Sequence, residues 1–449
     1  MTFGLKKNMT LIEQIHNGGR TVPDQIAVVT PSEQVTYREL SHRISQRALE
    51  LKDQGVKERT GYVWRAMQDV DFLVTYFALH QIGAVAVPLE QSIPKQTLRN
   101  IEEEVAAYDF PSGTADLLFT SGSTGKSKGV LLSETALSTC SENFIDAHHY
   151  TSDLVFIISG PLSHIASLFK IHPTLMALGT VCVIDGLKDM NAFFDVFRQM
   201  PHRRFASFLV PASIRLLLKF SREELLEVAP QIEFIETGAA PITQDDMREL
   251  AEVLPKAHLY NTLGGTEIGA VCTYDFNDGK YMAGCVGRPM LHSRITLNEQ
   301  GTVLISGPTL MTGYFNNEAL TREVLFDGVF HSSDRGRFDE DGNLHLLGRS
   351  DDAINVGGFK ADPVEIENVA MTHPQVSDCI CVAAPHPIAG YCIQLLYVLK
   401  KDATASKRDI ALYLKSRLEA YKVPTLYECV PAIRYKANGK KDRQSYKNE

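Results

Sequence analysis

Residues 119–129 read Phe119-Thr-Ser-Gly-Ser-Thr-Gly-Lys-Ser-Lys-Gly129. They end an apolar run that predicts a buried strand, and a helical pattern begins shortly afterwards, near Glu134. The glycines let backbone N–H groups approach an anion, the hydroxyls can donate hydrogen bonds, and the lysines supply charge. The stretch therefore predicts a phosphate-binding loop between a strand and a helix, with a plain Gly/Ser surface turn as the simpler alternative.

The composition is that of a large globular protein. The 449 residues suffice for two or three domains, and a net charge of −9 argues against a general nucleic-acid binder, which needs a basic face. Eight cysteines without a Cys-x2-Cys pair indicate buried free thiols in a reduced compartment. No secretory segment or membrane span is evident. We therefore expect a cytoplasmic protein.

Short apolar runs alternate with amphipathic stretches along most of the chain, which predicts an α/β fold with mostly parallel sheets. Ligands bind at the carboxyl ends of such strands. The phosphate loop, Thr237-Gly-Ala-Ala-Pro241 and Asn261-Thr-Leu-Gly-Gly-Thr-Glu267 each follow a predicted strand, so they could converge at one edge. A break after Arg349 predicts a large N-terminal domain, residues 1–350, and a small α+β domain, residues 351–449.

Two phosphate-binding families compete for the loop. A Walker A loop requires Gly-x4-Gly-Lys-Ser/Thr, but Thr120 stands where its first glycine should be. The alternative is that the loop resembles the signature Thr-Ser-Gly-Ser-Thr-Gly-x-Pro-Lys-Gly of the adenylate-forming acyl and aryl ligases. That family includes acyl-CoA synthetases, luciferase-like enzymes and peptide-synthetase adenylation domains. The match departs only at Ser127, and it makes Lys128 rather than Lys126 the family lysine.

Further segments along nearly the whole chain resemble motifs of the family and occur in the same order. They are Pro161-Leu-Ser-His164, Asn261-Thr-Leu-Gly-Gly-Thr-Glu267, Phe330-His-Ser-Ser-Asp334-Arg-Gly336, Gly348-Arg349-Ser-Asp351-Asp352, Val356-Gly-Gly-Phe-Lys360 and Lys436-Ala-Asn-Gly-Lys440-Lys-Asp-Arg443. The chain departs from the pattern at Leu263, which replaces a tyrosine expected to stack on adenine. It also has fewer residues between Pro88 and Ser121 than most members, so part of the first subdomain is predicted to be trimmed.

The resemblance implies a role for each matched residue. Lys440 and Lys128 would be catalytic, Thr266 would touch the α-phosphate, and Glu267 would bind Mg²⁺, a hard cation that prefers carboxylate oxygen. Asp334 would hold the ribose hydroxyls with Arg349 nearby, and Asp351 would be the hinge. The remaining predicted cofactor-binding residues are Thr120, Ser121, Gly122, Ser123, Thr124, Gly125, Gly238, Ala239, Ala240, Asn261, Thr262 and Leu263, with Gly357 and Gly358 facing a pantetheine arm.

The acid pocket is predicted to lie beside His164, which also counts among the catalytic residues. No aspartate occurs between Pro161 and Leu175, which argues against an amino acid, because amino-acid-activating members hold the ammonium group with one. Lys170 could meet a second carboxylate or extend to water. The predicted lining residues, several of them small enough to admit an aromatic ring or a medium acyl chain, are Ala166, Phe169, Lys170, Ala212, Gly264, Gly265 and Ile268.

The resemblance implies an ATP- and Mg²⁺-dependent acid–thiol ligase. A carboxylic acid would form acyl-AMP and pyrophosphate, and a thiol, most simply that of coenzyme A, would then displace AMP. A free-standing adenylation enzyme that loads the phosphopantetheine of an acyl carrier protein is the alternative within the family. A P-loop NTPase using Lys126 and a non-catalytic nucleotide-binding relative are the alternatives outside it.

Overall fold

The structure, a computed structural model, describes residues 9–120, 128–187, 189–349, 354–356, 359–386, 390–418, 420–436 and 439–446. Within these ranges the chain is a mixed α/β protein with a large N-terminal domain and a smaller C-terminal one. The cysteines are free thiols, and all but Cys429 are buried, as expected from the sequence.

Helices and strands alternate through the first 265 residues. They are α1 (Leu11–Thr21), β1 (Ile26–Val29), β2 (Gln34–Thr36), α2 (Tyr37–Asp53), β3 (Gly61–Arg65), α3 (Val70–Gln81), β4 (Val85–Leu89), α4 (Lys95–Ala106), β5 (Thr114–Thr120), β6 (Lys128–Ser133), α5 (Glu134–His148), β7 (Leu154–Ile158), α6 (Ile165–Met176), β8 (Thr180–Val183), α7 (Met190–Gln199), β9 (Arg204–Phe208), α8 (Pro211–Phe220), α9 (Arg222–Val228), β10 (Ile232–Gly238), α10 (Gln244–Val253) and β11 (His258–Gly265).

Short strands dominate the rest of the chain. They and their few helices are β12 (Gly269–Asp275), β13 (Cys285–Pro289), β14 (Arg294–Leu297), β15 (Thr302–Ser306), β16 (Gly313–Tyr314), α11 (Glu318–Val324), β17 (Leu325–Phe326), β18 (Val329–Phe338), β19 (Leu344–Arg349), β20 (Ile354–Val356), β21 (Phe359–Ala361), α12 (Pro363–Met371), β22 (Val376–His386), β23 (Gly390–Leu399), α13 (Lys407–Lys415) and β24 (Leu426–Cys429). The predicted strand 61–65 and helices 211–220 and 363–371 are confirmed to the residue.

Several helices begin where the sequence supplies a capping box. Thr36 accepts a hydrogen bond from the Glu39 backbone N–H at the start of α2, and the Glu39 carboxylate accepts one from the Thr36 N–H. Thr243 and Asp246 do the same for α10. Each box satisfies backbone donors that the first helical turn leaves without a partner. These helix starts are therefore set by local sequence.

Two sheets carry the N-terminal domain. The larger has the order β14-β15-β18-β19-β13-β12-β11-β10-β9-β7-β8-β1-β2, with β17 paired to β18, and the smaller has the order β16-β6-β5-β4-β3. Neighbouring strands are parallel from β8 through β7, β9 and β10 to β11, and antiparallel from β11 through β12 to β15. The expectation of mostly parallel sheets thus holds for these strands and for β3 to β5, whereas most later neighbours are antiparallel because short turns reverse the chain.

The C-terminal part has its own apolar core. One cluster of buried residues, including Ile366, Cys379, Leu395 and Ile410, draws all its members from residue 354 onward. Helices α12 and α13 and the strands β22 to β24 enclose it. The predicted boundary at 350–352 lies outside the described residues, so it stays a prediction.

Candidate active site

The predicted phosphate loop joins two antiparallel strands of the smaller sheet. Thr120 ends β5 and faces Lys128, the first residue of β6, and its Oγ1 lies 3.4 Å from the Lys128 carbonyl oxygen. The predicted helix start near Glu134 is confirmed, but the description as a strand-to-helix loop was wrong, because the strand β6 stands between the loop and α5. A Walker A loop opens a helix, so this geometry argues against the NTPase hypothesis. The predicted residues Ser121, Gly122, Ser123, Thr124 and Gly125, like Lys126, lie outside the described residues.

A short segment, residues 309–315, holds the two sheets together at the site. The Met311 N–H donates to the Glu267 carbonyl at 2.9 Å, next to the larger sheet. The Phe315 N–H donates to the Gly129 carbonyl at 2.8 Å in the smaller one. The phosphate-loop strand and the Glu267 segment are thereby brought to the same place, although they belong to different sheets.

Tyr314, in that segment, links the predicted lysine to the predicted metal ligand. Its hydroxyl donates to Glu267 Oε1 at 3.1 Å, and Lys128 Nζ lies 5.5 Å from the centre of its ring. Burial, followed by the Glu267 charge, raises the pKa of Tyr314, so the hydroxyl stays a donor. Nothing in the local sequence marks Tyr314, which is 47 residues from Glu267.

The loops after β10 and β11 meet as expected from the sequence. Gly238 and Thr262 lie opposite each other in parallel register, and a Cβ on Gly238 would come within 2.7 Å of the Thr262 carbonyl oxygen. Ala239 follows with φ = 63°, a conformation that L-residues rarely adopt outside functional turns. Ala240 continues this turn and is half-buried. A ligand bound at this edge would therefore lie close to the backbone.

Several of the predicted side chains at this edge form hydrogen bonds or apolar contacts within the protein. Asn261 Nδ2 donates to the Cys285 carbonyl at 2.6 Å, and Thr262 Oγ1 lies 3.0 Å from Thr273 Oγ1. Leu263 is half-buried against the main core, and Thr266 is buried. Asn261 and Thr262 can thus shape the site through their backbone, whereas their side chains stabilise β11.

Asp334 and Arg349 lie opposite each other on the neighbouring strands β18 and β19. The Asp334 N–H donates to Ser332 Oγ at 3.0 Å, and Arg349 Nη2 donates to Ser333 Oγ at 2.9 Å. Two motifs separated in sequence are therefore held as one cross-strand pair. A carboxylate and a guanidinium side by side can bind hydroxyl and phosphate groups of one ligand.

Lys440 is brought to the same place by a hairpin of the C-terminal domain. Tyr435 bridges to Lys441, and the Lys436 N–H donates to the Lys440 carbonyl at 2.8 Å. Burial and then the Arg349 charge lower the pKa of Lys440, while the carboxylates of Asp334 and Glu267 oppose this shift. These charges act on Lys440 only at short range. The predicted lysine, ribose and metal residues thus lie in the same region of the molecule.

The hairpin that carries Lys440 is anchored from behind by Glu367. This buried carboxylate accepts hydrogen bonds from the Cys381 N–H and from Arg443 Nη2, both at 2.7 Å, and Lys441 Nζ lies 3.4 Å from its other oxygen. Charge-assisted bonds of this kind are stronger than neutral ones. The two basic residues that follow Lys440, Lys441 and Arg443, therefore hold its position.

His164 precedes α6 and lies next to a carboxylate that the sequence analysis missed. Its Nε2 is 2.8 Å from Glu90 Oε1, and both side chains are about half exposed. Glu90 directly follows the buried strand β4, at the carboxyl end of a parallel strand, and this position was the signal that could have found it. The contact with Glu90 fixes the orientation of the imidazole.

The predicted acid-pocket residues come from two helices, one strand and the turn after it. Ala166, Phe169 and Lys170 lie on α6, Ala212 is the second residue of α8, Gly264 and Gly265 end β11, and Ile268 follows it. Gly439, beside Lys440, packs near Ala212, since a Cβ there would be 3.9 Å from the Ala212 Cβ. Lys170 reaches neither water nor open space, because it is 3% exposed and forms an ion pair with Glu236 at 2.6 Å.

The remaining predicted residues cannot be located. Gly357 and Gly358, between β20 and β21, and the hinge residue Asp351 lie outside the described residues. Within the part of the chain that the structure describes, no cluster of three or more His, Cys, Asp or Glu side chains could enclose a metal ion. In the same residues, no helix combines the length and the apolar character needed to cross a membrane.

Comparison with known proteins agrees with this geometry. A family model for AMP-binding enzymes matches residues 16–108 and 109–315, and a model for their C-terminal domain matches residues 365–440. A feruloyl-CoA synthase from Amycolatopsis sp is 28% identical over 94% of this chain and 95% of its own length. A D-alanine–D-alanyl carrier protein ligase from Bacillus licheniformis is 24% identical over 98% of this chain and 99% of its own.

The fold has close counterparts among solved structures. ATP-bound MatB from Rhodopseudomonas palustris aligns with a TM-score of 0.86 and 24% identity, over 98% of this chain and 99% of that one. At this identity the likeness concerns the fold alone. The two matching family models show that the chain belongs to the AMP-binding enzyme family, and together with its curated relatives they identify it as an AMP-forming acid–thiol ligase.

Proposed function

We propose that this protein activates an aryl or medium-chain carboxylic acid with ATP and transfers the acyl group to the thiol of coenzyme A. The observation that carries the proposal is that Lys440 lies within the electrostatic reach of Glu267 and of the cross-strand pair Asp334 and Arg349. These residues come from both domains and are far apart in sequence. A non-catalytic nucleotide binder would not require a mobile-domain lysine there.

In the first half-reaction, the substrate carboxylate attacks the α-phosphorus of ATP and pyrophosphate leaves. Lys440 would place its positive charge between the attacking carboxylate and the α-phosphate, where negative charge increases in the transition state. Asp334 would accept hydrogen bonds from the ribose hydroxyls and fix the nucleotide. Positioning and charge neutralisation supply most of the catalysis in such in-line displacements.

Glu267 is the residue that would hold Mg²⁺. Its carboxylate is anchored through Oε1 by Tyr314. Mg²⁺ commonly takes one or two protein carboxylates and completes its shell with water and substrate phosphates, so a single fixed carboxylate suits it. When bound, the ion would neutralise phosphate charge. Lys128, beside Tyr314, would add positive charge on the same side.

In the second half-reaction, a thiol attacks the acyl carbon and AMP leaves. The Gly357–Gly358 turn would admit the slender pantetheine arm after the C-terminal domain rotates about Asp351. The similarity to feruloyl-CoA synthase supports coenzyme A as the acceptor, and the similarity to the D-alanyl carrier protein ligase keeps a carrier protein as the second candidate.

The test is exchange of labelled pyrophosphate into ATP, measured across a panel of aryl, fatty and amino acids. We expect exchange that depends on an added aryl or medium-chain acid. Purified coenzyme A and phosphopantetheinylated carrier proteins should then be compared as acceptors. Release of inorganic phosphate from ATP without any acid would contradict the proposal.

The two lysines of the phosphate loop give a direct prediction. Lys128→Ala should reduce exchange on the order of a hundredfold, because it removes a charge beside Tyr314 and the phosphate site. Lys126→Ala should reduce it only severalfold. Exchange rates of both variants at saturating ATP provide the comparison, and a larger loss at Lys126 would favour a Walker-type site.

A second prediction concerns the anchor of the Lys440 hairpin. Glu367→Gln should lower the rate of acyl-AMP formation by about tenfold, because an amide holds Arg443 and Lys441 less strongly than a carboxylate. The effect should appear in kcat rather than in KM for ATP. Glu365→Gln is the matched control, since Glu365 lies on the same helix but pairs with Lys422 at 2.7 Å. Equal effects in both variants would contradict the anchoring role.

A further inference from the structure

Two side chains from the smaller sheet hold one loop of the larger sheet. The loop, residues 160–164, connects β7 to α6 and carries His164 as its last residue. Gln68 follows β3 and Glu90 follows β4, and these two strands are parallel neighbours. Parallel strands run in the same direction, so their carboxyl ends lie at one edge of the sheet. Both side chains reach the loop of the larger sheet from that edge.

Gln68 uses its amide group on the backbone of the larger sheet. Its Nε2 donates to the Gly160 carbonyl at 3.0 Å and to the Ile184 carbonyl at 3.3 Å, and its Oε1 accepts from the Leu162 N–H at 2.9 Å. Both donor hydrogens of the amide are thereby used. Because Gly160 follows β7 and Ile184 follows β8, one side chain fixes the ends of two strands together with the loop.

The loop is closely packed around these hydrogen bonds. Leu162 is fully buried, and a Cβ on Gly160 would lie only 2.8 Å from Ser167 Oγ. The hydrogen bond within the loop, from the His164 N–H to the Pro161 carbonyl at 3.1 Å, does not involve the Leu162 N–H. Without Gln68 this buried N–H would be unpaired, which costs more free energy than the bond itself contributes. We therefore expect the loop to shift when the amide is removed.

Glu90 acts on the side chain of the same loop. The backbone of His164 is held by α6, because its carbonyl accepts from the Ser167 N–H at 3.0 Å and from the Leu168 N–H at 3.2 Å. The ring is held separately, by the 2.8 Å contact between its Nε2 and Glu90 Oε1. An ionised carboxylate can only accept, so this contact places a hydrogen on Nε2 and leaves Nδ1 as the ring nitrogen for another partner.

The acid side of the site is thus tied across the two sheets independently of the phosphate side. The tie near Glu267 consists of backbone hydrogen bonds made by residues 309–315. The tie at the loop consists of the side chains of Gln68 and Glu90. A substitution of either side chain can therefore change the loop while the tie on the phosphate side stays in place.

We propose that Gln68 and Glu90 are positioning residues for the carboxylic acid, an inference that rests on the proposed acid-activating function. Gln68 sets the place of the loop, and Glu90 sets the orientation of the His164 ring, beside which the substrate carboxylate is proposed to lie. Both residues act through the loop rather than on the reacting atoms. Their loss misaligns the acid with the α-phosphorus and leaves ATP binding unchanged.

The first test compares two glutamines that clip the same strands at opposite ends. Gln68→Met is expected to lower kcat/KM for the acid in pyrophosphate exchange by about tenfold or more, with KM for ATP within about twofold of the wild type. Gln25→Met is the matched control. Gln25 is half-buried like Gln68, and its Nε2 donates to the Ser152 carbonyl at 3.0 Å and to the Leu178 carbonyl, just before β7 and β8. It should lower the melting temperature without changing kcat/KM for the acid.

The second test is a double-mutant cycle between Glu90→Ala and His164→Ala. Alone, Glu90→Ala should lower kcat/KM for the acid about fivefold; in the His164→Ala background the same change should cost less than about twofold, because no ring remains to be oriented. Glu142→Ala is the matched control, since Glu142 Oε2 lies 2.8 Å from His292 Nε2 in another partly exposed histidine–glutamate pair. It should keep the kinetics of the wild type.

Two results together support the inference: a loss in Gln68→Met that Gln25→Met does not share, and a Glu90→Ala effect that disappears with His164. Equal acid kinetics in the two glutamine variants, or a Glu90→Ala effect that is the same with and without His164, would overturn it. Glu90 is half exposed, so the cycle decides the question even where Gln68→Met is unstable. Absence of acid-dependent exchange in the wild type would instead refute the proposed function.

Discussion

Lys440→Ala is expected to lose acyl-AMP formation by on the order of a hundredfold or more, yet still convert supplied acyl-AMP and thiol to thioester. The loss follows from removing a positive charge where the transition state gains negative charge. In the present structure the charges of Arg349, Asp334 and Glu267 act on Lys440, as we propose for the first half-reaction. The second half-reaction is proposed to use the opposite face of the C-terminal domain, so it should tolerate the change.

The measurements for Lys440 are pyrophosphate release from ATP and acid, and thioester yield from presynthesised acyl-AMP. Lys436→Ala is the matched control, because Lys436 lies on the same hairpin and is exposed. It should retain both activities within severalfold. Equal loss of the two half-reactions in a folded Lys440→Ala protein would contradict the assignment of Lys440 to one conformation.

Gly348→Ala is expected to reduce acyl-AMP formation by on the order of tenfold to a hundredfold. Gly348 has φ = 140°, and a Cβ there would lie 1.7 Å from Asp362 Oδ1. Asp362 is buried and caps α12 through the Val364 N–H at 3.0 Å, so neither its side chain nor the helix can move away freely. The C-terminal domain would be displaced, and a shift of about 1 Å at a catalytic group can cost a hundredfold.

The control for Gly348 is Gly342→Ala, which has φ = 80° but no neighbouring atom within 4 Å of an added Cβ. It tests backbone strain without the clash and should keep most of the activity. Pyrophosphate release at several temperatures, together with melting curves, would separate displacement of the domain from unfolding. If both variants lost activity equally, backbone strain at a positive φ and not the contact with Asp362 would explain the effect.

Local sequence was sufficient for most helices and strands. Capping boxes and turn residues act within a few positions, so the starts of α2 and α10 follow from the local amino-acid sequence. The order of the motifs also indicated the family, which the family models confirm. The connection of the phosphate loop was mispredicted. The strand β6 could not be recognised in the sequence, because it is defined by its antiparallel pairing with β5.

The long-range contacts that assemble the site could not be predicted from the sequence. Glu90 joins His164 across 74 residues, Tyr314 joins Glu267 across 47, and Lys170 joins Glu236 across 66.

The amino-acid sequence by itself therefore determined the elements, the order of the motifs and the class of chemistry. The tertiary structure alone decided which groups meet and which charges cancel. The physical reason is that helix caps and turns depend on neighbours in the chain. Charge pairing inside the protein depends instead on which strands and helices lie side by side after folding.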